Sequence, residues 1–544
     1  MKLHDFFSAE TAKKAGCMEI KGSGNPFISA LEYDSNKVQE GALFFALPGT
    51  HTDGYNYIGD AIKKGAGGII HQRELNPDEL LQTGITKQML KDIVFIRVEN
   101  SRFAMSSIAA AYHGFPGEKL ILIGVTGTEG KSTTVFLIWQ LLCLAEKKTG
   151  FISTVQYSDG DGEAQWNPEH QTTPEATVVH LRLAQMVKKG CEYAVIETSS
   201  HGLSPRTNRL GDLAFDAAVM TTVTHEHLEF HGTWEQYRDD KANLFRSLDK
   251  RAVAFMDRTS GKTLQPFGVI NAADKSASFF AAATKQKTFM FNACTTDRAD
   301  LMLKSTKSSS GGNSYEVFNT QNGKTFSVED KLPGAFNSGN VLAALLVISR
   351  LLDRPIEEFV PMVPSLKPVW GRMMPVIRGQ PFEVLVDYAH TPSSFQTIFP
   401  SLSSRIGQNK GRLISLFGSA GERDTQKRSE QGAIAARYSD IVILADEDPR
   451  GEDPMAILEE IAGGCINSFN ASINKSPLID LKEKLFLIPD RKTAIRKAFS
   501  LACPGDLVIL LGKSHENSII YKDHIMQYDE VSEAEKALEE MQTN

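Results

Sequence analysis

The chain has 544 residues, 41% of them hydrophobic and 23% charged, with a formal net charge of −7. That length exceeds one core and suggests three or four domains, while the acidic balance disfavours a nucleic-acid binder. Six scattered cysteines without C-x-x-C spacing exclude a disulfide framework or a cysteine zinc site, and no apolar signal core or membrane-length run is present, so a cytoplasmic, soluble protein is expected.

In chain order, the first hundred residues alternate short apolar runs with glycine turns and include a helix-like stretch from Tyr57 to Lys64, ending on Gly65. A small α/β domain over residues 1–106 fits. From about Glu118 a strand-then-helix rhythm begins, with ILIGVTG before TTVFLIWQLLCLAE and VVHLRLAQMVKKG before YAVIETSS. Apolar positions there recur at helical spacing, which argues for a largely parallel sheet covered by helices. Residues 300–330 are polar and read as hairpins or a loop, and a helix begins near Asn337. Five strand-like runs follow: FEVLVDYAHTP, GRLISLFGSAG, DIVILADEDP, KLFLIP and DLVILLGKS. The expected fold class is α/β in three domains, 1–106, 107–351 and 352–544, the second a P-loop domain and the third Rossmann-like.

The segment ILIGVTGTEGKSTT has the composition of a phosphate-binding loop. Ile121 to Val125 read as a buried strand, and Gly127 and Gly130 permit a tight turn that lets backbone N–H groups converge on phosphate oxygens. Lys131 adds positive charge and Ser132 a hydroxyl suited to Mg²⁺. The strict pattern G-x4-G-K-[ST] fails at Val125. Polar residues gather after later strands: Glu197 to His201, then Thr224 to Gly232, then Tyr237 to Asn243. Carboxylates and imidazoles near a phosphate loop suit a Mg²⁺-nucleotide site. Zinc on His225, His227 and His231 is one alternative, and a purely structural Glu197 is another, although a buried carboxylate needs a cation or donors beside it.

Taken together, TGTEGKST, ETSSHGL, THEHLEFHG, YRDDKANLF, FNSGNVLAA, GRM, DYAHTP, GSAGERDTQKR, DPRGEDP and GKSHE resemble, in order, the Mur ligases. Within that family the resemblance is to the branch that adds the third amino acid of the peptidoglycan stem peptide. It covers nearly the whole chain, including DSNKV and GALFFALPGTHTDGY.

The resemblance implies an ATP- and Mg²⁺-dependent ligase acting on UDP-MurNAc-L-Ala-D-Glu through an acyl phosphate, a monomer whose last domain closes over the nucleotide. Ser35, Thr50 and His51 would touch the uridine end, and Thr172, Thr173, Ser199 and Arg209 the muramoyl-peptide. Thr126, Gly127, Thr128, Gly130, Lys131, Ser132 and Thr133 would hold ATP phosphates, with Ser132, Glu197 and His227 at metal positions. Lys241 matches a lysine that the family carbamylates, giving the site an anionic oxygen ligand. Asn337 and Asn340 match an adenine-side motif, and Arg372, Asp387, Tyr388 and His390 match nucleotide contacts of the last domain. Arg423, Asp448, Arg450, Gly512 and Glu516 match the pocket for the incoming diamino acid.

That amino acid stays open between lysine, ornithine and meso-diaminopimelate. Relatives that add diaminopimelate usually carry D-N-P-R where this chain has E-D-P-R. Arg450 offers a partner to a distal carboxylate, whereas Asp448 adds negative charge that favours an ammonium. A solvated acidic loop with Arg450 paired internally is the bland alternative. Other departures are Glu129 inside the phosphate loop, Ala420 and Ser514 in place of glycines, and a longer spacing from His201 that makes Arg206 a rival of Arg209. Rival functions are another ligase of the superfamily, a folylpolyglutamate synthase, a P-loop kinase or mechanical NTPase, and a non-catalytic sugar-nucleotide-binding paralogue.

Overall fold

The computed structural model describes every residue except 23, 50–52, 170, 225–227, 252–254, 257–262, 293–298, 310–311, 410, 474–482 and 544. Continuous apolar runs become its central strands, because a parallel sheet covered on both faces has no solvent side to fill with polar residues. Two compact units result, Met1–Met290 with Ala343–Arg354, and Phe291–Leu342 with Pro355–Asn544.

The first unit begins with a five-stranded sheet in the order Cys17–Lys21, Val94–Val98, Gly68–His71, Leu43–Phe45, Leu31–Glu32. All neighbours run parallel except the first pair. The helix-like stretch at Tyr57 is a short 3₁₀ turn, Gly54–Tyr57, followed by the helix Ile58–Lys63.

The unit continues into a second sheet, where Phe267–Asn271, Ala217–Met220, Ile121–Thr126, Tyr193–Glu197 and Thr149–Ile152 lie side by side and parallel. Its register pairs Glu197 with Val125 and Met220 with Thr126, so three strands end on one line. Loops leaving that line carry the phosphate-loop glycines, Thr198 to Ser200 and Thr221 to Thr224. Beneath it, Leu122, Ile196, Met220, Phe215, Tyr237 and Phe245 share a buried core.

In the second unit, residues 300–330 form an antiparallel meander of Leu301–Ser309, Gly312–Asn319 and Lys324–Asp330. The helix expected near Asn337 spans Asn337–Leu352, and its residues from Ala343 onward belong to the first unit. The five strand-like runs make one sheet in the order Glu383–Asp387, Leu507–Leu511, Leu413–Phe417, Ile441–Leu444, Leu485–Leu487, all parallel, with Met374–Pro375 antiparallel at the edge. Helices such as Pro392–Asn409, Gln426–Tyr438 and Arg491–Leu501 connect them. This is the Rossmann-like arrangement, in which ligands gather at the carboxyl ends of the strands. Among the described residues, no helix is long and apolar enough to cross a membrane.

Candidate active site

Two clusters of polar residues stand at strand ends, one in each unit. In the first, the strand Ile121–Thr126 turns into a loop that only glycine can make. Gly127 has φ +152°, and a Cβ there would lie 2.0 Å from Thr221 Oγ1 and 2.9 Å from the Thr222 carbonyl oxygen. Gly130 adopts the left-handed region at φ 79° and caps the helix Lys131–Leu144 without a side-chain hydrogen bond. The first-turn N–H groups of that helix therefore face out with positive partial charge, an arrangement that favours an anion.

Around this loop the side chains converge. Lys131 Nζ donates to Thr128 O at 2.7 Å. Ser132 is buried and its Oγ donates to Glu197 Oε1 at 3.0 Å, while Thr154 N donates to Glu197 Oε2 at 2.8 Å. Glu197 is 1% exposed. Its hydrogen-bond partners among the described residues are neutral donors, so the carboxylate is buried there without a bonded cation. A divalent cation beside Glu197 and Ser132 would complete that environment with the hard oxygen ligands it prefers, and the donor set fits Mg²⁺. Lys241, buried on the helix Trp234–Leu248, donates from Nζ to Gly127 O at 2.6 Å. Tyr237, one turn earlier, meets Thr128 Oγ1 at 2.9 Å.

Thr173 Oγ1 donates to Glu197 O at 2.9 Å and accepts from Ser199 N at 2.9 Å. Arg209 reaches Thr173 O at 2.8 Å and Glu175 Oε1 at 2.9 Å, and Arg102 donates to the same Glu175 oxygen at 2.5 Å. Arg206 instead donates to Phe230 O at 2.6 Å. Of the two rival arginines, the structure therefore gathers Arg209 with Thr173, Ser199 and Glu197. Thr172 and Ser35 are half-buried, and Lys64 Nζ donates to Ser35 O at 2.8 Å.

Thr50, His51, His225 and His227 lie outside the described residues. Of the three histidines in the zinc alternative, His231 is committed elsewhere, to Asp240 at 2.8 Å and Ser200 Oγ at 3.0 Å. Burial alone would raise Asp240, but hydrogen bonds from His231, Gln236 and Ser204 hold its carboxyl below the ordinary range. Among the described residues, no group of three or more His, Cys, Asp or Glu could hold a metal ion.

In the second unit, Asn340 Nδ2 donates to Asn337 Oδ1 at 2.9 Å at the start of their helix. Asp387 ends its strand and accepts from Met373 N and Ala389 N, each at 2.7 Å. Burial raises its carboxyl, against the opposing charge of Arg372. The Arg372 guanidinium lies 4.7 Å over the Tyr388 ring, which packs against His390 and His515 at 4.7 and 4.5 Å.

The expected amino-acid pocket is spread over three strand-end loops. Arg423 is exposed, whereas Asp448 and Gly512 are buried. The negative charge that Asp448 adds to the sequence is already matched, because Lys513 Nζ donates to its Oδ1 at 2.8 Å and to Glu516 Oε2 at 2.5 Å. Burial would lower Lys513, but Glu516 and Asp448 outweigh it and raise the ammonium above its ordinary value. Glu447 is 7% exposed, and its Oε2 has no hydrogen-bond partner among the described residues. That atom lies 2.9 Å from where a Cβ on Gly512 would stand, so the glycine leaves room for it. Arg450 Nε is likewise buried without a partner. Ser514 adopts φ 42° and donates its hydroxyl to Gly371 O.

Lys513 and Glu175 were not singled out from sequence. Only Lys513 carried a usable signal there, as the basic residue of GKSHE between two residues assigned to the pocket.

Residues 27–113 match the model of the Mur ligase family catalytic domain, residues 125–348 the Mur ligase middle domain, and residues 371–514 the Mur ligase glutamate ligase domain. The chain is 49% identical to a UDP-N-acetylmuramyl-tripeptide synthetase of Treponema denticola, covering 97% of each. It is 34% identical to a UDP-N-acetylmuramoyl-L-alanyl-D-glutamate–2,6-diaminopimelate ligase of Geobacillus kaustophilus, covering 96% of this chain and 97% of that one. A solved structure of a ligase of the latter name is similar over 100% of both chains, with a TM-score of 0.60 at 26% identity.

Proposed function

The chain belongs to the Mur ligase family, and we propose that it is the ATP-dependent ligase that adds the third residue, a diamino acid, to UDP-MurNAc-L-Ala-D-Glu in the cytoplasm. The observation that carries this reading is Glu197, a buried carboxylate whose hydrogen-bond partners among the described residues are neutral, bonded to Ser132 of the phosphate loop. Three domains, 1–106, 107–351 and 352–544, would bind the sugar nucleotide, ATP and the amino acid.

A carboxylate is a poor acyl donor, so its oxygen first takes the γ-phosphoryl of ATP, with ADP leaving. The amino nitrogen then attacks the carbonyl carbon of the acyl phosphate, and the tetrahedral species expels phosphate as the nitrogen loses a proton. Two anions must approach each other in the first step. Lys131 and the N–H groups of the loop offset that repulsion by fixed positive charge aimed at the phosphates. Ser132, Glu197, His227 and Lys241 as a carbamate would hold Mg²⁺, which when bound neutralises phosphate charge.

Thr173, Ser199 and Arg209, with Thr172, Ser35, Thr50 and His51, would bind the sugar-nucleotide substrate. Asn337, Asn340, Arg372, Asp387, Tyr388 and His390 would bind ATP. Arg423, Asp448, Arg450, Gly512 and Glu516 would form the amino-acid pocket. Glu447 Oε2 and Arg450 Nε, without hydrogen-bond partners among the described residues, would supply it with one carboxylate and one guanidinium anchor, which supports a substrate bearing a second amino group.

The test is phosphate release from ATP and Mg²⁺ with UDP-MurNAc-L-Ala-D-Glu, offering lysine, ornithine or meso-diaminopimelate singly. Release dependent on one of them supports the ligase and identifies its substrate. Hydrolysis indifferent to both the amino acid and the sugar nucleotide refutes it, and full turnover by K131A refutes the role of Lys131.

A further inference from the structure

We propose that Arg491 is a positioning residue for the incoming amino acid, tying together the two loops that carry most of its pocket. The proposal rests on the pocket assigned above. It concerns a residue outside those assigned to the substrate sites.

Arg491 opens the helix Arg491–Leu501, and its guanidinium is fully buried. The charge is matched by Glu530, equally buried, through a two-pronged pair: Nε to Oε2 at 2.9 Å and NH2 to Oε1 at 2.6 Å. Tyr528 donates its hydroxyl to the same carboxylate. Two further donors reach backbone carbonyls on other elements. NH2 donates to Leu511 O at 2.7 Å, and NH1 donates to Asp446 O at 3.1 Å.

Those two carbonyls stand immediately before the pocket loops. Leu511 is the last residue of its strand, and Gly512 to Glu516 follow. Asp446 stands two residues past the strand Ile441–Leu444, and Glu447 to Arg450 follow. The two strands are not neighbours, since Leu413–Phe417 lies between them in the sheet. No ladder hydrogen bond joins them, and two strand spacings put them roughly 10 Å apart. One guanidinium reaches across that gap because its donors diverge in a fixed plane, which a lysine ammonium on a flexible stem does not reproduce. A second tie joins the same loops further out, where Lys513 reaches Asp448. Arg491 therefore sets the separation at the base of the pocket, and Lys513 sets it nearer the mouth.

A buried ion pair that served stability alone would affect all substrates equally. The positioning role predicts a selective effect. With the full-length enzyme and whichever of lysine, ornithine or meso-diaminopimelate the wild type uses, R491K should raise KM for the amino acid at least tenfold. KM for ATP and for UDP-MurNAc-L-Ala-D-Glu should change less than threefold. Should R491K not fold, R491M/E530M removes both charges, so that neither is left buried alone, and should show the same selective rise. Amide hydrogen exchange gives a reading independent of the reaction: either variant should exchange faster over 446–450 and 512–516, with 127–132 unchanged. Equal rises in all three KM values, or an unchanged amino-acid KM in a folded variant, overturn the proposal. A wild type that uses no amino acid overturns the ligase reading instead, and the exchange pattern then still decides whether Arg491 holds the loops.

Discussion

Replacing His180 with leucine should stabilise the first unit, and more so in acid. His180 lies on the helix Ala176–Lys188 at 1% exposure, and neither ring nitrogen has a hydrogen-bond partner among the described residues. Burial, and secondarily His113, pushes its imidazole down to about 3. An unfolded histidine titrates near 6.5, so between those values the unfolded chain binds the extra proton. The contribution is thus present in full above pH 6.5 and is lost progressively as pH falls toward 3. At pH 5 the loss relative to pH 8 is RT ln[(1 + 10^1.5)/(1 + 10^−2)], about 2 kcal/mol. Leaving the ring nitrogens unsatisfied in the core costs about 1–3 kcal/mol at any pH, and leucine removes that as well. Urea denaturation of wild type and H180L, followed by circular dichroism at pH 8 and pH 5, measures both effects. The variant should be more stable at pH 8 by about 1–3 kcal/mol, with a gain about 2 kcal/mol larger at pH 5. A destabilised variant at pH 8, or one whose pH dependence equals that of wild type, refutes the reasoning.

S132A removes the hydroxyl that meets Glu197 at 3.0 Å. Loss of a hydrogen bond to a charged group, about 1.5–3 kcal/mol, should lower kcat/KM roughly ten- to hundredfold in the phosphate-release assay. G127A places a methyl 2.0 Å from Thr221 Oγ1 and displaces the loop, so calorimetric titration should show ATP binding weakened at least tenfold. K513M leaves Asp448 buried without its cation and should cost about 3–5 kcal/mol of stability by denaturation, with D448N/K513M recovering most of it. No recovery in the double variant would show that the pair is not what holds those loops.

Local chemistry made much of this molecule legible. The apolar run before Gly127 is a strand because its residues suit a sheet buried on both faces, and the glycines that follow stand where their φ angles or close contacts demand them. The helix after Lys131 and the polar hairpins at 300–330 follow from periodicity and composition in the same way. The choice between Arg209 and Arg206 did not, because they are three residues apart and both basic. Packing separates them, carrying one to Thr173 and the other to Phe230.

The charge of Asp448 shows where sequence reading stops. Counted along the chain it belongs to an acidic run, and it argues for an ammonium substrate. In the fold it is matched by Lys513, 65 residues away, whereas Oε2 of the neighbouring Glu447 has no hydrogen-bond partner among the described residues. Arg491 is a starker case, an ordinary arginine in PDRKTAI whose donors meet two loops separated by an intervening strand. The phosphate loop, the strand–helix rhythm and the family were written in contiguous residues, because backbone geometry and hydrophobic period act over a few positions. Which charges cancel, which stay unmatched and which loops are tied depend on strand order, which brings together residues that no local pattern connects.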